Sequence, residues 1–376
     1  MNIFKFATKK LMFKRLLQLS LLFSFFIVEA QAPSNYYNST QGKSGFELKT
    51  ELYQIISENH APQTYTDAWT FFENNDATQE GNVLDIYSNC TFNFGTPEFG
   101  GNQDTGSGGN TECEYFNREH VFPRSWFGGA STLPEHSDII NLLPVDKLVN
   151  NERGAFVFAE VTNPNFVSSN GSARGNSITP GFNGTAFEVI DEYKGDIARI
   201  YFYMATRYEN VIEFWLGNNE NGDFYLDGSS DQVYQDWVID LLYDWHVNDP
   251  VDQKEIDRNN AAFEFQGNRN PFVDQPDFVC AIWDVDEDNC TFSSSEFTLK
   301  DEVSIYPNPA SNGLFYVQFS SPLDQLQLYS ITGKLIKEVQ PKKEEEKVEF
   351  NQLKAGIYLL KISHNQQNST HKIIVH

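Results

Sequence analysis

The sequence is poor in positive charge relative to negative charge. It contains 27 lysines and arginines against 52 aspartates and glutamates, which gives a formal net charge of −25 at pH 7. Nucleic-acid-binding proteins usually present a basic surface, because contacts to phosphates supply most of their affinity. The composition alone is therefore typical of an acidic extracellular protein. Total charge governs solubility, whereas a cleft responds to charges within about 8–10 Å, so any anion-binding site must rest on a local group of residues.

Several motifs of catalysis and metal binding are absent or incomplete. The four cysteines are Cys90, Cys113, Cys280 and Cys290. None belongs to a C-x-x-C pair, which argues against a structural zinc ribbon. No G-x-S-x-G motif is present, so a serine hydrolase has no support. The acidic run that begins at Asp284 has Asn289 where a calcium-binding hand requires glycine, so that pattern also fails.

The first 32 residues have the features of a cleaved signal peptide. Five cations precede an apolar run at residues 16–28, and small residues, Ala30 and Ala32, stand at positions −3 and −1 of the expected cleavage site. The run is shorter than the ~20 residues of a membrane span, although a retained anchor is the alternative. Removal of this leader makes the formal charge −29 and leaves 344 residues. No later run approaches spanning length, so we expect a mature protein outside the cytoplasm without a membrane span.

The even number of cysteines predicts two disulfides in an exported chain. Four cysteines allow three pairings. Proximity in the sequence favours Cys90–Cys113 and Cys280–Cys290.

Helical patterns dominate the chain up to about residue 290. A capping box at residues 44–47 precedes apolar residues at helical spacing, and further helices are predicted at 195–208 and 231–245. Asp249 and Pro250 have the residue types of a helix N-cap and of the first helical position. A further helix is therefore expected to begin at Pro250. Few confident strands are predicted in this region.

The composition changes after the serine run at residues 293–295. Seven short β-type runs follow, at residues 303–306, 314–319, 325–331, 335–339, 347–350, 356–362 and 371–375. Short strands at this spacing indicate a small β-sandwich. We therefore predict an α+β protein: a signal peptide at 1–32, a mostly helical domain at 33–292, a linker at 293–302 and an all-β sandwich domain at 303–376.

Two segments, residues 115–127 and 137–153, combine polar groups with aromatic or aliphatic neighbours. Hydrolysis of a phosphodiester requires a base that deprotonates water and a cation that neutralises charge growing on the phosphate oxygens. Histidine suits the first task, and oxygen ligands such as a carboxylate and an amide suit a hard cation such as Mg²⁺. His120 beside Glu119, with Asn150 from a later helix, would supply this set.

The same segments carry a family resemblance. The chain reads N-R-E-H-V-F-P at residues 117–123, S-D-x-x-N-L-x-P at 137–144, V-N-N-x-R at 149–153, I-A-R-x-Y-x-Y-M at 197–204 and Q-G-N-R-N-P-F-V at 266–273. In these motifs it resembles the endonuclease I family of periplasmic and secreted bacterial nucleases, which use a ββα-metal finger. The resemblance covers residues 34–280 and implies that the first domain contains such a finger.

The resemblance implies roles for individual residues. His120 would be the general base, and Glu119 and Asn150 would be the metal ligands. Three arginines are candidates for contacting phosphate or for holding the site together: Arg118, Arg124 and Arg153. Arg118 and Arg153 are grouped with His120 as candidate catalytic residues, and Arg124 is a candidate substrate contact.

Further positions of the motifs are less specific. Asn141 is expected to support the finger and is grouped with Arg199 among the candidate substrate-binding residues, although Arg199 could equally face the core. His136 could reach the cleft, but we expect a structural role for it. Relatives often carry a histidine where this chain has Ile140, which removes a polar group near the finger.

The last domain resembles a type IX secretion sorting domain. The motifs are V-S-I-Y-P-N-P at residues 303–309, L-Y-S-I-T-G-K at 328–334, A-G-I-Y at 355–358 and K-I-I-V at 372–375. The resemblance implies passage across the outer membrane by the type IX secretion machinery, with release or attachment at the cell surface.

These observations predict a secreted, monomeric endonuclease that cleaves DNA and RNA with little sequence preference, and the family resemblance implies that it leaves 5′-phosphate ends. Its expected cofactor is Mg²⁺, with Mn²⁺ or Ca²⁺ as alternatives. Two other interpretations remain open: a metal-dependent phosphodiesterase acting on other substrates, and a surface-binding module whose enzyme site is inactive.

Overall fold

The computed structural model describes residues 32–283 and, with short gaps, residues 303–375. The predicted signal peptide up to residue 31, the linker and Cys290 lie outside the described residues. Cys90 and Cys113 form a disulfide, which confirms the first predicted pairing. No helix in the described ranges is both long and apolar enough to cross a membrane.

Helices are the main regular secondary structure of the first domain. They are α1 Gly45–Glu58, α2 Ala68–Asn75, α3 Lys147–Arg153, α4 Lys194–Arg207, α5 Glu220–Tyr225, α6 Asp236–Asn248, α7 Gln253–Gln266, α8 Pro271–Asp274 and α9 Phe278–Trp283. Short 3₁₀ helices lie at Asn38–Thr40, Pro97–Phe99, Pro134–His136, Ile139–Asn141, Asp191–Tyr193 and Ile212–Trp215.

Six strands accompany these helices and form two sheets. They are β1 Phe116–His120, β2 Leu142–Asp146, β3 Val157–Phe158, β4 Val161–Val167, β5 Ala173–Ser177 and β6 Thr185–Glu188. Strands β1 and β2 form an antiparallel pair, and the other four form a sheet of order β3-β6-β5-β4. The four-stranded sheet was not predicted from the sequence because its strands are short or interrupted: β3 has only two residues, β4 contains Pro164, and the register of β4 with β5 is irregular.

Helix α4 forms the centre of the domain. Every residue from Lys194 to Thr206 is buried, and the helix packs against α1 and α6. A helix that is enclosed on all sides must carry apolar residues around its circumference, which explains the I-A-R-I-Y-F-Y-M sequence. The helix predicted at 195–208 is therefore confirmed, with its bounds shifted by one residue.

Two other helices begin later than predicted. Helix α6 begins at Asp236 instead of residue 231, because Val233 has a positive φ of 72° and Tyr234 pairs with Leu226. Helix α7 begins at Gln253 with Asp252 as its N-cap. The expected cap, Asp249, instead accepts a hydrogen bond from the Gly195 backbone, at 2.8 Å.

The capping interactions also differ between α1 and α7. Helix α1 starts at the predicted residue, but the Ser44 side chain makes no capping hydrogen bond, and Glu47 pairs with Lys43 at 2.7 Å. In α7 the Asp252 carboxylate accepts from the Glu255 backbone at 2.9 Å, and the Glu255 side chain accepts from the Asp252 backbone. The capping box that forms is thus one that the sequence analysis did not identify.

The second domain has the seven predicted strands. They are β7 Val303–Tyr306, β8 Phe315–Phe319, β9 Gln325–Ser330, β10 Leu335–Val339, β11 Lys347–Phe350, β12 Gly356–His364 and β13 Gln367–Val375. They form two sheets of order β10-β9-β12-β13 and β11-β8-β7, and inward residues of both sheets share one apolar core. The strand pattern and the sandwich are confirmed, although β12 and β13 are longer than predicted.

We expect Asp252→Ala to destabilise the first domain by about 1 kcal/mol, because it removes the hydrogen bond to an otherwise unpaired N–H of α7. Ser44→Ala is the matched control, since its hydroxyl makes no capping hydrogen bond. Urea unfolding of both variants would check this expectation. Equal losses of stability in the two variants would contradict it.

Candidate active site

The antiparallel pair β1–β2 and helix α3 form a compact ββα unit. Glu119 lies opposite Leu143 and His120 opposite Leu142, and α3 continues directly from the end of β2. The Asp146 carboxylate caps α3 by accepting from the Val149 backbone at 3.0 Å. This unit is the ββα finger that the family resemblance implies, and it brings the end of β1 beside the first turns of α3.

An open cleft of about 550 Å³, including solvent-accessible space, lies along this unit. Six of the predicted site residues line it: Arg118, Glu119, His120, Arg124, Asn150 and Arg153. The tertiary structure therefore places residues from β1, the loop after it and α3 around one space.

Glu119 is held by two donors. Its side chain is buried, and its Oε1 accepts from the Tyr87 hydroxyl at 2.7 Å and lies 3.2 Å from Arg153 Nη1. Burial raises the pKa of the Glu119 carboxyl above its ordinary value, while Arg153 and the Tyr87 hydroxyl act in the opposite direction. One carboxylate oxygen is thus fixed by the protein, and the residue lines the cleft.

His120 has a defined tautomer. Its Nε2 lies 2.9 Å from the His136 carbonyl oxygen, and because a carbonyl can only accept, Nε2 carries the proton. Burial lowers the pKa of His120 to about 3, so the imidazole is neutral at physiological pH and Nδ1 is unprotonated. The ring stacks on Tyr65, with centroids 5.4 Å apart and planes 21° apart. This neutral, oriented imidazole can accept a proton at Nδ1.

Asn150 contributes an amide oxygen. Its Nδ2 donates to Asn117 Oδ1 at 2.7 Å, which leaves its carbonyl oxygen available to a ligand. The other oxygen of the α3 cap, Asp146 Oδ2, accepts from the Cys113 backbone at 2.6 Å. The disulfide at Cys113 therefore lies next to the N-terminus of the helix that carries Asn150.

The donor set fits a hard divalent cation. Carboxylate and amide oxygens are ligands that Mg²⁺ accepts, and Mg²⁺ usually keeps several water ligands. The cleft offers the Glu119 carboxylate and the Asn150 amide, and it is open enough for water. The described residues contain no group of three or more His, Cys, Asp or Glu side chains suited to a metal.

The three cleft arginines have different environments. Arg153 is fully buried, donates to the carbonyls of His120 and Val121, and contacts Glu119. Arg118 is half-buried with its guanidinium 3.6 Å from the Tyr65 ring centroid, and it donates to the Tyr65 carbonyl at 2.7 Å. Only Arg124 among these three is exposed, and its side chain has no hydrogen bond or ion pair with any described residue.

Two predicted substrate contacts lie outside the cleft lining. Asn141 is fully buried and clasps the Phe122 backbone, accepting from its N–H at 2.7 Å and donating to its carbonyl at 3.1 Å. Arg199 is fully buried in α4 and makes two 2.6 Å hydrogen bonds to Glu255. Both side chains are therefore engaged within the protein, Asn141 with the turn after β1 and Arg199 with the start of α7, and their roles in substrate binding stay predictions.

The position of Ile140 resolves the departure seen in the sequence. Its side chain is buried and lines a different pocket, with Leu143 and Ile200 among the other lining residues. It is not part of the cleft lining. The substitution therefore leaves the polar groups of the cleft in place.

Three aromatic residues at the site were missed by the sequence analysis. Tyr65 stacks on His120, Trp69 lies 4.4 Å from Arg118, and Tyr87 binds Glu119. They lie in a part of the chain that has no recognised motif, and an aromatic side chain alone is more often a core residue. His136, which was expected to be structural, supplies the carbonyl that orients His120, and its ring lies 4.4 Å from that of Tyr65.

Comparison with known proteins agrees with the geometry. The model of the endonuclease I family matches residues 44–277. The chain therefore belongs to the endonuclease I family. The protein is therefore a nuclease, that is, a phosphodiester hydrolase. The ββα unit lies within the matched residues 44–277.

Three individual relatives are bacterial proteins. The extracellular ribonuclease of Bacillus amyloliquefaciens is 33% identical over 258 residues, which cover 66% of this chain and 78% of the relative. The extracellular ribonuclease of Bacillus subtilis (strain 168) is 32% identical over 254 residues, with the same coverage of both chains. Endonuclease-1 of Buchnera aphidicola subsp. Baizongia pistaciae (strain Bp) is 28% identical over 137 residues, covering 36% of this chain and 46% of the relative.

The C-terminal domain has its own match. Residues 304–376 match the model of the secretion system C-terminal sorting domain. Together with the extracellular relatives, this match identifies a secreted or cell-surface protein.

We expect Arg199→Met to lower the free energy of unfolding by about 3–5 kcal/mol, because it leaves the buried Glu255 carboxylate without its partner. The double variant Arg199→Met/Glu255→Leu should recover much of that loss. Urea unfolding would test both. A folded Arg199→Met protein with unchanged stability but a raised KM for nucleic acid would instead return Arg199 to the substrate site.

Proposed function

We propose that the protein is a divalent-metal-dependent endonuclease that hydrolyses phosphodiesters of DNA and RNA, with His120 as its general base. The observation that carries the proposal is the convergence of Glu119, His120 and Asn150 on one cleft, with His120 Nδ1 unprotonated. The two Bacillus relatives are named as extracellular ribonucleases, which supports activity on RNA, and the Buchnera relative is named as an endonuclease, which supports internal cleavage of the chain.

Glu119 and Asn150 would hold the cation, for which Mg²⁺ is the first candidate and Mn²⁺ or Ca²⁺ are alternatives. A cation held there would supply positive charge against the phosphate oxygens. Arg153 keeps Glu119 and the end of β1 in position through its contacts with the carboxylate and the His120 carbonyl. The buried Arg153 side chain therefore holds the proposed metal ligand Glu119 in position.

His120 would accept a proton from the attacking water at Nδ1. Its Nε2–H remains bound to the His136 carbonyl, so the ring keeps its orientation while the proton moves. Arg124, and to a smaller extent the half-buried Arg118, would contact the phosphate. Contacts to the backbone rather than to base edges carry no sequence information, which supports a weak sequence preference.

The sorting domain would direct the nuclease through the type IX secretion machinery, after removal of the N-terminal leader. We propose domain limits of 33–292 and 303–376, joined by a linker at 293–302, and a monomeric enzyme.

The test is cleavage of plasmid DNA and of RNA by the mature chain, in Mg²⁺ and in EDTA. We expect cleavage only with the metal, and a loss of about 10²–10⁴-fold in kcat for His120→Ala. Glu119→Gln and Asn150→Ala should raise the Mg²⁺ concentration required for activity. His60→Ala is the matched control, because His60 does not line the cleft, and it should retain activity.

Two results would contradict the proposal. Cleavage that persists in EDTA would exclude the metal requirement. Intact DNA and RNA with every common divalent cation would favour a binding module, unless a small phosphodiester such as bis-p-nitrophenyl phosphate is hydrolysed.

A further inference from the structure

The charge of the nuclease domain is unusual for a protein that binds a polyanion. Residues 32–283 contain 13 lysines and arginines against 38 aspartates and glutamates, a formal charge of −25 for this range. Ten of these cations form ion pairs with carboxylates within the described residues. Most of the positive charge is therefore already compensated by the protein itself.

The three remaining cations are Arg118, Arg124 and Arg207. Arg207 interacts with His60, whereas Arg118 and Arg124 line the cleft. Only Arg124 is fully available, because the Arg118 guanidinium is half-buried against Tyr65 and Trp69. Uncompensated positive charge on this domain is thus concentrated at the candidate active site.

From this distribution we infer that the enzyme contacts only two or three phosphates around the scissile bond and repels the flanking phosphates. The inference rests on the proposed function and specifies its substrate class. A single strand can turn its flanking phosphates away from an acidic surface, whereas a duplex is stiff over a persistence length of about 150 base pairs. Single-stranded DNA and RNA are therefore preferred over duplexes, and short chains are cut as efficiently as long ones.

The salt dependence follows from the same count. The logarithm of the affinity for a single strand falls linearly with the logarithm of the salt concentration. The slope is about −0.7 for each phosphate that the protein neutralises. Two contacts give about a tenfold loss between 50 and 200 mM salt, whereas six to ten contacts to a duplex give about 10³–10⁵-fold. Salt also screens repulsion by the acidic surface, which makes the dependence shallower still.

The experiment measures kcat/KM of the mature full chain on single strands of four, eight and sixteen nucleotides and on a sixteen-base-pair duplex. Measurements run from 50 to 200 mM NaCl at constant free Mg²⁺. We expect less than about threefold variation among the single strands, at least a tenfold lower value for the duplex, and at most about a tenfold loss with salt.

Charge variants separate local from global effects. Arg124→Gln should raise KM about tenfold or more, with little change in kcat, and should reduce the magnitude of the salt slope by about 0.7, which corresponds to one phosphate contact. Lys43→Gln changes the total charge by the same amount, but Lys43 lies before α1 in an ion pair with Glu47. This control variant should therefore change neither KM nor the salt slope. Equal effects of the two variants would show that total charge, and not the cleft, governs binding.

Two outcomes overturn the inference in distinguishable ways. A steady rise of kcat/KM with chain length, or a thousandfold loss by 200 mM salt, would show a long binding surface while leaving the proposed nuclease intact. Absence of metal-dependent turnover on every substrate would remove the proposed function and this inference together.

A separate observation concerns Tyr87. Its side chain is fully buried, its ring lies 5.2 Å from that of Phe187, and its hydroxyl donates to Glu119 Oε1. Since Arg153 contacts the same oxygen, Oε1 has two partners, whereas Oε2 has no hydrogen bond with the described residues. The geometry points to Tyr87 as a positioning residue that turns Glu119 Oε2 toward a cation, an assignment that rests on the proposed ligand role of Glu119.

Metal binding without substrate tests this role. Loss of such a supporting hydrogen bond typically weakens metal affinity about 10–100-fold. Tyr87→Phe should therefore weaken Mn²⁺ binding in calorimetry by that factor. Tyr234→Phe is the matched control, because it removes an equally buried hydroxyl that donates to the Tyr201 carbonyl at 2.6 Å, and its Mn²⁺ affinity should be unchanged.

Glu119→Gln identifies the relevant Mn²⁺ site in the same titration. If Glu119→Gln loses that site while Tyr87→Phe binds Mn²⁺ with unchanged affinity, the positioning role is refuted and the ligand role stands. If Glu119→Gln also binds Mn²⁺ normally, both the proposed ligand and the role of Tyr87 are refuted.

Discussion

The buried contact between Arg153 and Glu119 joins the two halves of the finger. Arg153 ends α3, and its guanidinium donates to the carbonyls of His120 and Val121 while contacting the Glu119 carboxylate. Removing one member would leave the other as an uncompensated buried charge, so the pair strongly constrains the local structure. Because β1 carries Glu119 and His120 while α3 carries Asn150, the geometry of the cleft depends on this contact.

Buried groups hold Glu119, His120 and the turn after β1 in position. Tyr87 holds Glu119, the His136 carbonyl holds His120, and the Asn141 amide clasps the turn that follows β1. These supports come from segments far apart in the sequence, and most are buried. The arrangement leaves Arg124 as the exposed cation of the cleft, which reconciles a strongly acidic protein with an anionic substrate: the relevant charge is local.

Prediction from the sequence could select the candidate site residues where they are close together in one motif. Glu119 and His120 are neighbours in one motif, and Asn150 belongs to another, so their residue types and order were visible in the chain. It failed where a residue type has several common uses. Arg199 lies within a family motif, yet its partner Glu255 is 56 positions away, and only the packing of α4 against the start of α7 reveals that the arginine is buried. Tyr87 could not be distinguished from an ordinary core tyrosine for the same reason.

The sequence by itself determined the family, the two-domain α+β organisation, the seven strands of the sandwich and the Cys90–Cys113 disulfide, because these depend on local patterns and short separations. Tertiary structure decided where α6 and α7 begin, how the short strands β3–β6 pair, and which arginines reach the cleft. Those outcomes depend on burial and on hydrogen-bond partners distant in the chain. A buried donor or acceptor is stable only when its hydrogen-bond partner is also present. Only the folded chain brings two such groups together when they are far apart in the sequence.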